Sequence, residues 1–278
     1  MLAAWILGAL AVPAMAPSPI SRVPIDFREG LIWVEIRAGD RSVPFRFLLD
    51  SGASHTVLDL RTARELGLAR GPAVPVRGVG SRVTGFGPVP WKARLGDTPL
   101  SERVLILDLG PLSEACDRRV DGLIGADFFR DRVVEIDYDS GELRLWDDYP
   151  PSDVSRAVPM TSGSGGFSIP GSVNGSRNGP LRIDTGCATA LHWVSTTTPA
   201  RTCPGPSPTG LSRVSIRQTL AGVRLGPHHV DTVPTGIHRT PIFDGESGLL
   251  GNGLLAMFGV VTFDTRSHQL HLGPRERP

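Results

Sequence analysis

Lysine is almost missing from this chain: Lys92 is the only one among 278 residues, and arginine supplies the rest of the 29 basic side chains. Set against 28 acidic residues, this leaves a formal net charge of +1, so there is neither the basic footprint of a nucleic-acid binder nor a charge excess suited to an acidic polymer. Arginine in place of lysine is what GC-rich coding produces, and it points to a bacterial source, not to phosphate binding. Aromatic residues are scarce, at 6%. Cysteine is limited to Cys116, Cys187 and Cys203, whose spacing fits no zinc or redox pattern. In an exported protein Cys187 and Cys203 can pair and leave Cys116 over; three buried free thiols are the equal alternative. No apolar run reaches the ~20 residues of a transmembrane helix.

Glycine and proline, at 33 and 25, are plentiful. Frequent breakers with short apolar runs between them favour many short strands over long helices. A content of 40% hydrophobic and 21% charged residues is that of a globular chain, long enough for one large domain or two small lobes. Residues 1–16 form an apolar stretch ending Ala14-Met15-Ala16, the small-x-small pattern of a signal-peptidase site, although no basic residue precedes it. The expected mature chain therefore begins near Pro17 and is periplasmic or secreted. With no cysteine after the cleavage point, no lipid anchor is expected.

The sequence repeats once. Phe47-Leu-Leu49 runs into Asp50-Ser-Gly-Ala53, and Leu181-Arg-Ile183 runs into Asp184-Thr-Gly-Cys187. Later, Asp121-Gly-Leu-Ile-Gly125 is echoed by Ser247-Gly-Leu-Leu-Gly251, and Val133-Val-Glu-Ile-Asp137 by Val260-Val-Thr-Phe-Asp264. The paired landmarks are offset by 134 residues (Asp50 to Asp184), 126 (Gly122 to Gly248), 127 (Asp137 to Asp264) and 127 (Leu143 to Leu270). Kept order and small drift are the mark of a duplication. The join, Asp147 to Asp153, is polar and proline-rich, which divides the mature chain into lobes at 17–150 and 151–278. Within each lobe the alternation of residues 32–37 and 43–49 predicts strands, and residues 133–138 and 142–146 predict a hairpin about Asp139-Ser-Gly141. A short helix is predicted at Asp59–Leu66, with Asp59 as cap and Gly67 just beyond its end. The matching stretch from Ser195 to Arg201 makes a poor helix.

A strand ending in Asp-Ser/Thr-Gly sets a carboxylate on a tight turn where glycine admits close approach of another chain. One such tripeptide is common by chance; two at matching places in a duplicated chain, each followed by an apolar-apolar-Gly segment, are far more specific. On these segments the chain resembles the aspartic peptidases, and among them the retropepsin-like branch, over residues 30–146 and 166–273. The resemblance implies an all-β fold of two retropepsin-like (acid protease) β-barrel lobes with the active site between them. It also implies an aspartic endopeptidase, without metal or cofactor, that acts on protein or peptide substrates as a monomer. Asp50 and Asp184 would be the catalytic carboxylates, sharing a proton and activating a water. Ser51, Gly52, Thr185 and Gly186 would brace the two loops. The glycine-rich stretch from Val76 to Gly87 would form a flap, with Gly78, Val79, Gly80, Thr84 and Gly85 over the substrate, and residues 208–214 are its fainter counterpart. Two departures stand out. Cys187 replaces the usual Ala or Ser, and Tyr138 and Tyr149, the only tyrosines, both fall outside the flap.

Other readings are weaker. Gly251-Asn-Gly253-Leu-Leu-Ala256 has the form of a dinucleotide-binding loop, but too little chain follows for the rest of a βαβ unit. His228, His229, Asp231 and His238 lack helical metal-ligand spacing. The serious competitor is a retropepsin-like module that captures an extended peptide without cutting it.

Overall fold

The computed structural model of the chain describes residues 17–78, 81–149, 154–163, 165–196, 203–209 and 212–273. The expected signal segment 1–16, the centre of the proline-rich join, the poor-helix stretch beyond Thr196 and the flap residues Val79 and Gly80 lie outside these. Among the described residues no helix is long and apolar enough to cross a membrane.

The same strand order occurs twice. In the first lobe the strand Phe45–Leu49, which delivers Asp50, lies between antiparallel Leu31–Ala38 and parallel Gly122–Ile124. Gly122–Ile124 runs antiparallel to Val57–Asp59, which is parallel to Arg103–Leu107; Ser81–Pro90 and Ala73–Gly78 complete that edge. In the second lobe Gly179–Asp184 lies between antiparallel Gly166–Val173 and parallel Gly248–Gly251. From there the sheet continues through Leu191–Val194, parallel His228–His238, then Ser212–Leu225 and Cys203–Thr209. The sequence repeat is thus a repeat of topology, and it places the two Asp-bearing strand ends in equivalent positions.

A six-stranded sheet joins the halves. Its middle strands are Val133–Asp137 and Val260–Asp264, paired antiparallel with Glu135 opposite Thr262. Each carries its own hairpin partner, Glu142–Trp146 and Gln269–Leu272. Above it, Phe129 packs on Phe263 at 4.8 Å and on Phe167 at 6.0 Å, so one apolar core spans both lobes. Each such ring contributes about 1.5–3 kcal/mol through burial, which fixes the lobes to each other.

Local chemistry explains the elements. Ile32, Val34 and Ile36 enter the main core while Glu35 and Arg37 face solvent. Trp33, on the other face, is buried as well: it joins Leu48, Val57, Leu107, Leu109, Val120 and Leu123 in a second apolar cluster. The helix Leu60–Glu65 starts where Asp59 accepts hydrogen bonds from the amides of Arg61 and Thr62, and it ends before Gly67 at φ +68°. The hairpin turn is secured by Gly141 at φ +69° and by Ser140 N donating to Asp137 Oδ1 (2.8 Å).

Candidate active site

The two Asp-Ser/Thr-Gly loops meet face to face, and each serine or threonine is fully buried in the other's loop. Ser51 N donates to Thr185 Oγ1 (2.9 Å) and Thr185 N to Ser51 Oγ (3.1 Å). Ser51 Oγ in turn donates to Ile183 O (2.9 Å) and Thr185 Oγ1 to Leu49 O (2.8 Å). Each hydroxyl thereby donates one hydrogen bond and accepts one across the lobe boundary. The brace should be sensitive to a single atom. Thr185→Val keeps the shape but leaves Ser51 N and Leu49 O buried and unpaired, at about 1–3 kcal/mol each. We expect a melting temperature lower by roughly 5–15 °C, with Thr185→Ser close to the parent; a Val variant that melts with the parent would show that the hydroxyl holds nothing.

The carboxyl groups lie against each other's glycines. A Cβ on Gly52 would sit 2.6 Å from Asp184 Oδ1, and one on Gly186 2.6 Å from Asp50 Oδ1. The surroundings of the two acids are unequal. Asp50 Oδ1 accepts from Gly52 N (3.1 Å) and Ala53 N (3.0 Å), whereas Asp184 Oδ1 accepts from Gly186 N alone (2.9 Å). Burial raises the Asp50 carboxyl, and those amides and a hydrogen bond from Asp184 partly offset it. Burial, and then the adjacent Asp50 charge, hold Asp184 well above the ordinary carboxylate range. The pair therefore keeps one proton, and amide donors favour the charge on Asp50 and the proton on Asp184.

Behind the Asp184 loop, Cys187 is a free, fully buried thiol, so the disulfide to Cys203 raised by the sequence is not formed. Its Sγ lies 3.0 Å from Thr189 Oγ1, which is 2.6 Å from His192 Nε2; His192 Nδ1 is 2.9 Å from His238 Nε2. Burial pushes the thiol up to about 12 and His192 down to about 3, so both are neutral. The four residues His228, His229, Asp231 and His238 do not converge: His238 faces His192, while His228 Nε2 bonds with Arg156 O (2.9 Å). Among the described residues no group of three or more His, Cys, Asp or Glu side chains could hold a metal.

The stretch expected to form a flap is a first-lobe hairpin, Ala73–Gly78 with Ser81–Pro90, and Cys203–Thr209 with Ser212–Leu225 pairs likewise in the second lobe. Gly78 pairs with Ser81 beside the tip. Thr84 is exposed on the body of the hairpin, and Gly85 is buried beneath it, where a Cβ would meet Leu107 and Val76 at 3.0 Å. Arg77 crosses to the second lobe and pairs with Asp244 (2.8 Å).

Two functional neighbours are absent from the motif reading. Asn252 Nδ2 donates to Thr185 O (2.6 Å) and Gly30 O (2.9 Å), and its Oδ1 accepts from Tyr138 (2.8 Å). Arg182, two residues before Asp184, pairs with Glu246 and donates to Gly52 O (3.2 Å). The available signal for Arg182 was a charge on a strand whose first-lobe match, Leu48, is apolar. Asn252 stood in a glycine-flanked segment with the form of a dinucleotide-binding loop, a form set aside because too little chain follows it.

Residues 34–128 match the family model of the aspartyl proteases. Among solved structures, an aspartic proteinase from Irpex lacteus superposes with a TM-score of 0.55, covering 92% of this chain and 97% of that one at 13% identity. That likeness is one of fold. No curated protein sequence matches the chain. By sequence the first lobe is similar to the aspartyl proteases, and the chain as a whole has a mostly β fold like that of a two-lobed aspartic proteinase.

Proposed function

We propose that this chain is an aspartic endopeptidase in which Asp50 and Asp184 activate one water for attack on a peptide bond. The observation that carries the reading is the pair of buried carboxyls from two lobes, packed on each other's glycine and arranged to hold one proton. In this reading ionised Asp50 takes a proton from the water as its oxygen attacks the scissile carbonyl, and Asp184 gives its proton to the carbonyl oxygen. Collapse of the resulting diol returns a proton to Asp184, and Asp50 passes its proton to the departing amine, so the dyad ends as it began. In this reading the lobes are 17–150 and 151–278, and an extended peptide lies between them under the first-lobe hairpin. Because one chain provides both carboxyls, the active unit is a monomer; after loss of residues 1–16 it works in the periplasm or outside the cell.

The test is cleavage of an unfolded protein by the mature chain between pH 3 and 8. Fragments that Asp50→Asn abolishes are expected; binding without cleavage would make this a peptide-capturing module. Activity per mole should not change on dilution. The pH optimum should also lie above that of strongly acidic relatives. Ala53 offers no hydroxyl to the dyad and Cys187 turns its thiol to Thr189, so fewer donors stabilise the ionised form. A profile peaking near pH 2–3 would contradict this.

A further inference from the structure

The duplicated lobes brace their catalytic loops alike but back them with unlike residues. Asn252 reaches from the second lobe to the turn at Gly30 and holds the Asp184 loop by Thr185 O; its first-lobe match is Ala126, which can do neither. The Asp50 loop is held from a different position. Leu48, two residues before Asp50, is buried in an apolar cluster. At the matching place, Arg182 is equally buried and reaches across the lobe boundary.

Every nitrogen of its guanidinium has a partner, and four of its five N–H donors are used. Nε and Nη2 grip Glu246, with Nε 3.0 Å from Oε2. Nη1 donates to Gly165 O and, at 3.2 Å, to Gly52 O in the Asp50 loop. The Phe243 ring lies 4.0 Å away under the guanidinium carbon. The slot is tight: a Cβ on Gly165 would come within 2.5 Å of Nη2. Burying a guanidinium is costly unless it is paired and hydrogen-bonded, and a planar fork is what satisfies a carboxylate and two carbonyls together. An apolar side chain would fill the same space more cheaply, as Leu48 does.

Resting on the enzymatic reading above, we propose that Arg182, with Glu246 as its counter-charge, is a positioning residue of the dyad. It fixes the Asp50 loop by its Gly52 carbonyl and sets a permanent positive charge beside both carboxyls. That charge favours ionisation of Asp50 and of Asp184, more weakly than burial opposes it. The other charged or titratable groups nearby are few. Glu246 faces the guanidinium and Arg77–Asp244 lies beyond Phe243; Cys187 and His192 are neutral, His238 adjoins His192, and His55 is exposed.

Three variants test this, read by kcat and KM, by melting, and by 13C NMR titration of the dyad carboxyls. Arg182→Lys keeps the charge but not the fork: kcat should fall about ten- to a hundredfold at little-changed KM, as displaced catalytic groups do, with the carboxyl titration near parental. Arg182→Leu combined with Glu246→Gln removes both charges without stranding either. It should lose kcat similarly and move the dyad titration up by about half a pH unit, less than the 1–3 units of an unopposed neighbouring cation. Glu246→Gln alone frees the cation and should move the titration down. Parental kcat and titration in all three would reduce Arg182 to a packing residue and overturn the proposal, whatever their melting. If the double variant does not fold, the two single variants decide in the same way. If the parent cleaves nothing, the enzymatic reading fails, and the titration shifts still decide whether Arg182 acts on the dyad.

Discussion

Gly186→Ala and Gly52→Ala should each cost at least about a hundredfold in kcat/KM, from the addition of one methyl group. Neither glycine has an unusual φ; what each provides is room. The new Cβ would stand 2.6 Å from a carboxyl oxygen of the opposite loop, where no real Cβ is found. Something has to move. The loops cannot separate without stretching the four hydrogen bonds between Ser51, Thr185, Leu49 and Ile183, and the carboxyl cannot turn without losing its amide donors. Overpacking of this kind costs roughly 1–3 kcal/mol, so the variants should fold, melt lower, and present a displaced dyad. Gly67→Ala is the contrast: φ is +68° and no atom lies within 4 Å. That change should cost about 1 kcal/mol of stability and leave kcat/KM alone. Parental kcat/KM in Gly186→Ala would mean that the carboxyl contact seen here is not the working geometry.

What could be read from the sequence was what repeats. Two Asp-Ser/Thr-Gly loops, two apolar-apolar-Gly strands and two hairpins at a near-constant offset fixed the topology, because a duplicated chain buries equivalent residues twice. The helix at Leu60–Glu65 was legible for a local reason: its cap and terminal glycine lie within the segment itself. The strand alternation placed Trp33 on the face opposite Ile32 and Val34, where it lies, but did not reveal that this face is buried too. Both faces are covered there, by the main core and by the second apolar cluster. Cys187 stayed open because pairing needs a three-dimensional distance; its thiol instead meets Thr189, two residues on. Gly85, read as a flap residue, is buried against Leu107 beneath the hairpin. Arg182 and Asn252 were invisible for the opposite reason to the dyad. They occur once, at positions where the other lobe has Leu48 and Ala126, and their partners Glu246 and Gly30 lie 64 and 222 residues away. Repetition reveals symmetry, and these two clamps are where the lobes diverged.

Asp50→Asn and Asp184→Asn should each lower kcat/KM by about 10³-fold or more, because one of the two proton transfers loses its group. Neither should unfold the protein, and their stability should depend on pH in a direction that sets a dyad apart from two structural turn residues. Both folded carboxyls are raised above their ordinary value, Asp184 strongly. A carboxyl raised on folding adds stability below its unfolded value near pH 4, and that contribution is lost as pH climbs through the folded value. Each pH unit between the two corresponds to about 1.4 kcal/mol, or a few degrees of melting temperature. Asparagine removes the titration while its amide oxygen still accepts from Gly52 N, Ala53 N or Gly186 N. Each variant should therefore melt close to the parent at pH 3.5 and at the same temperature or higher at pH 7.5, with Asp184→Asn gaining more. Were the aspartates simply turn residues whose charge is held by amides, the folded values would be depressed and the order reversed, with the variants losing most at pH 7.5. Melting curves of parent and both variants at the two pH values, run beside the cleavage assay, separate these cases: variants less stable at pH 7.5 that still cleave would overturn the assignment of Asp50 and Asp184 together.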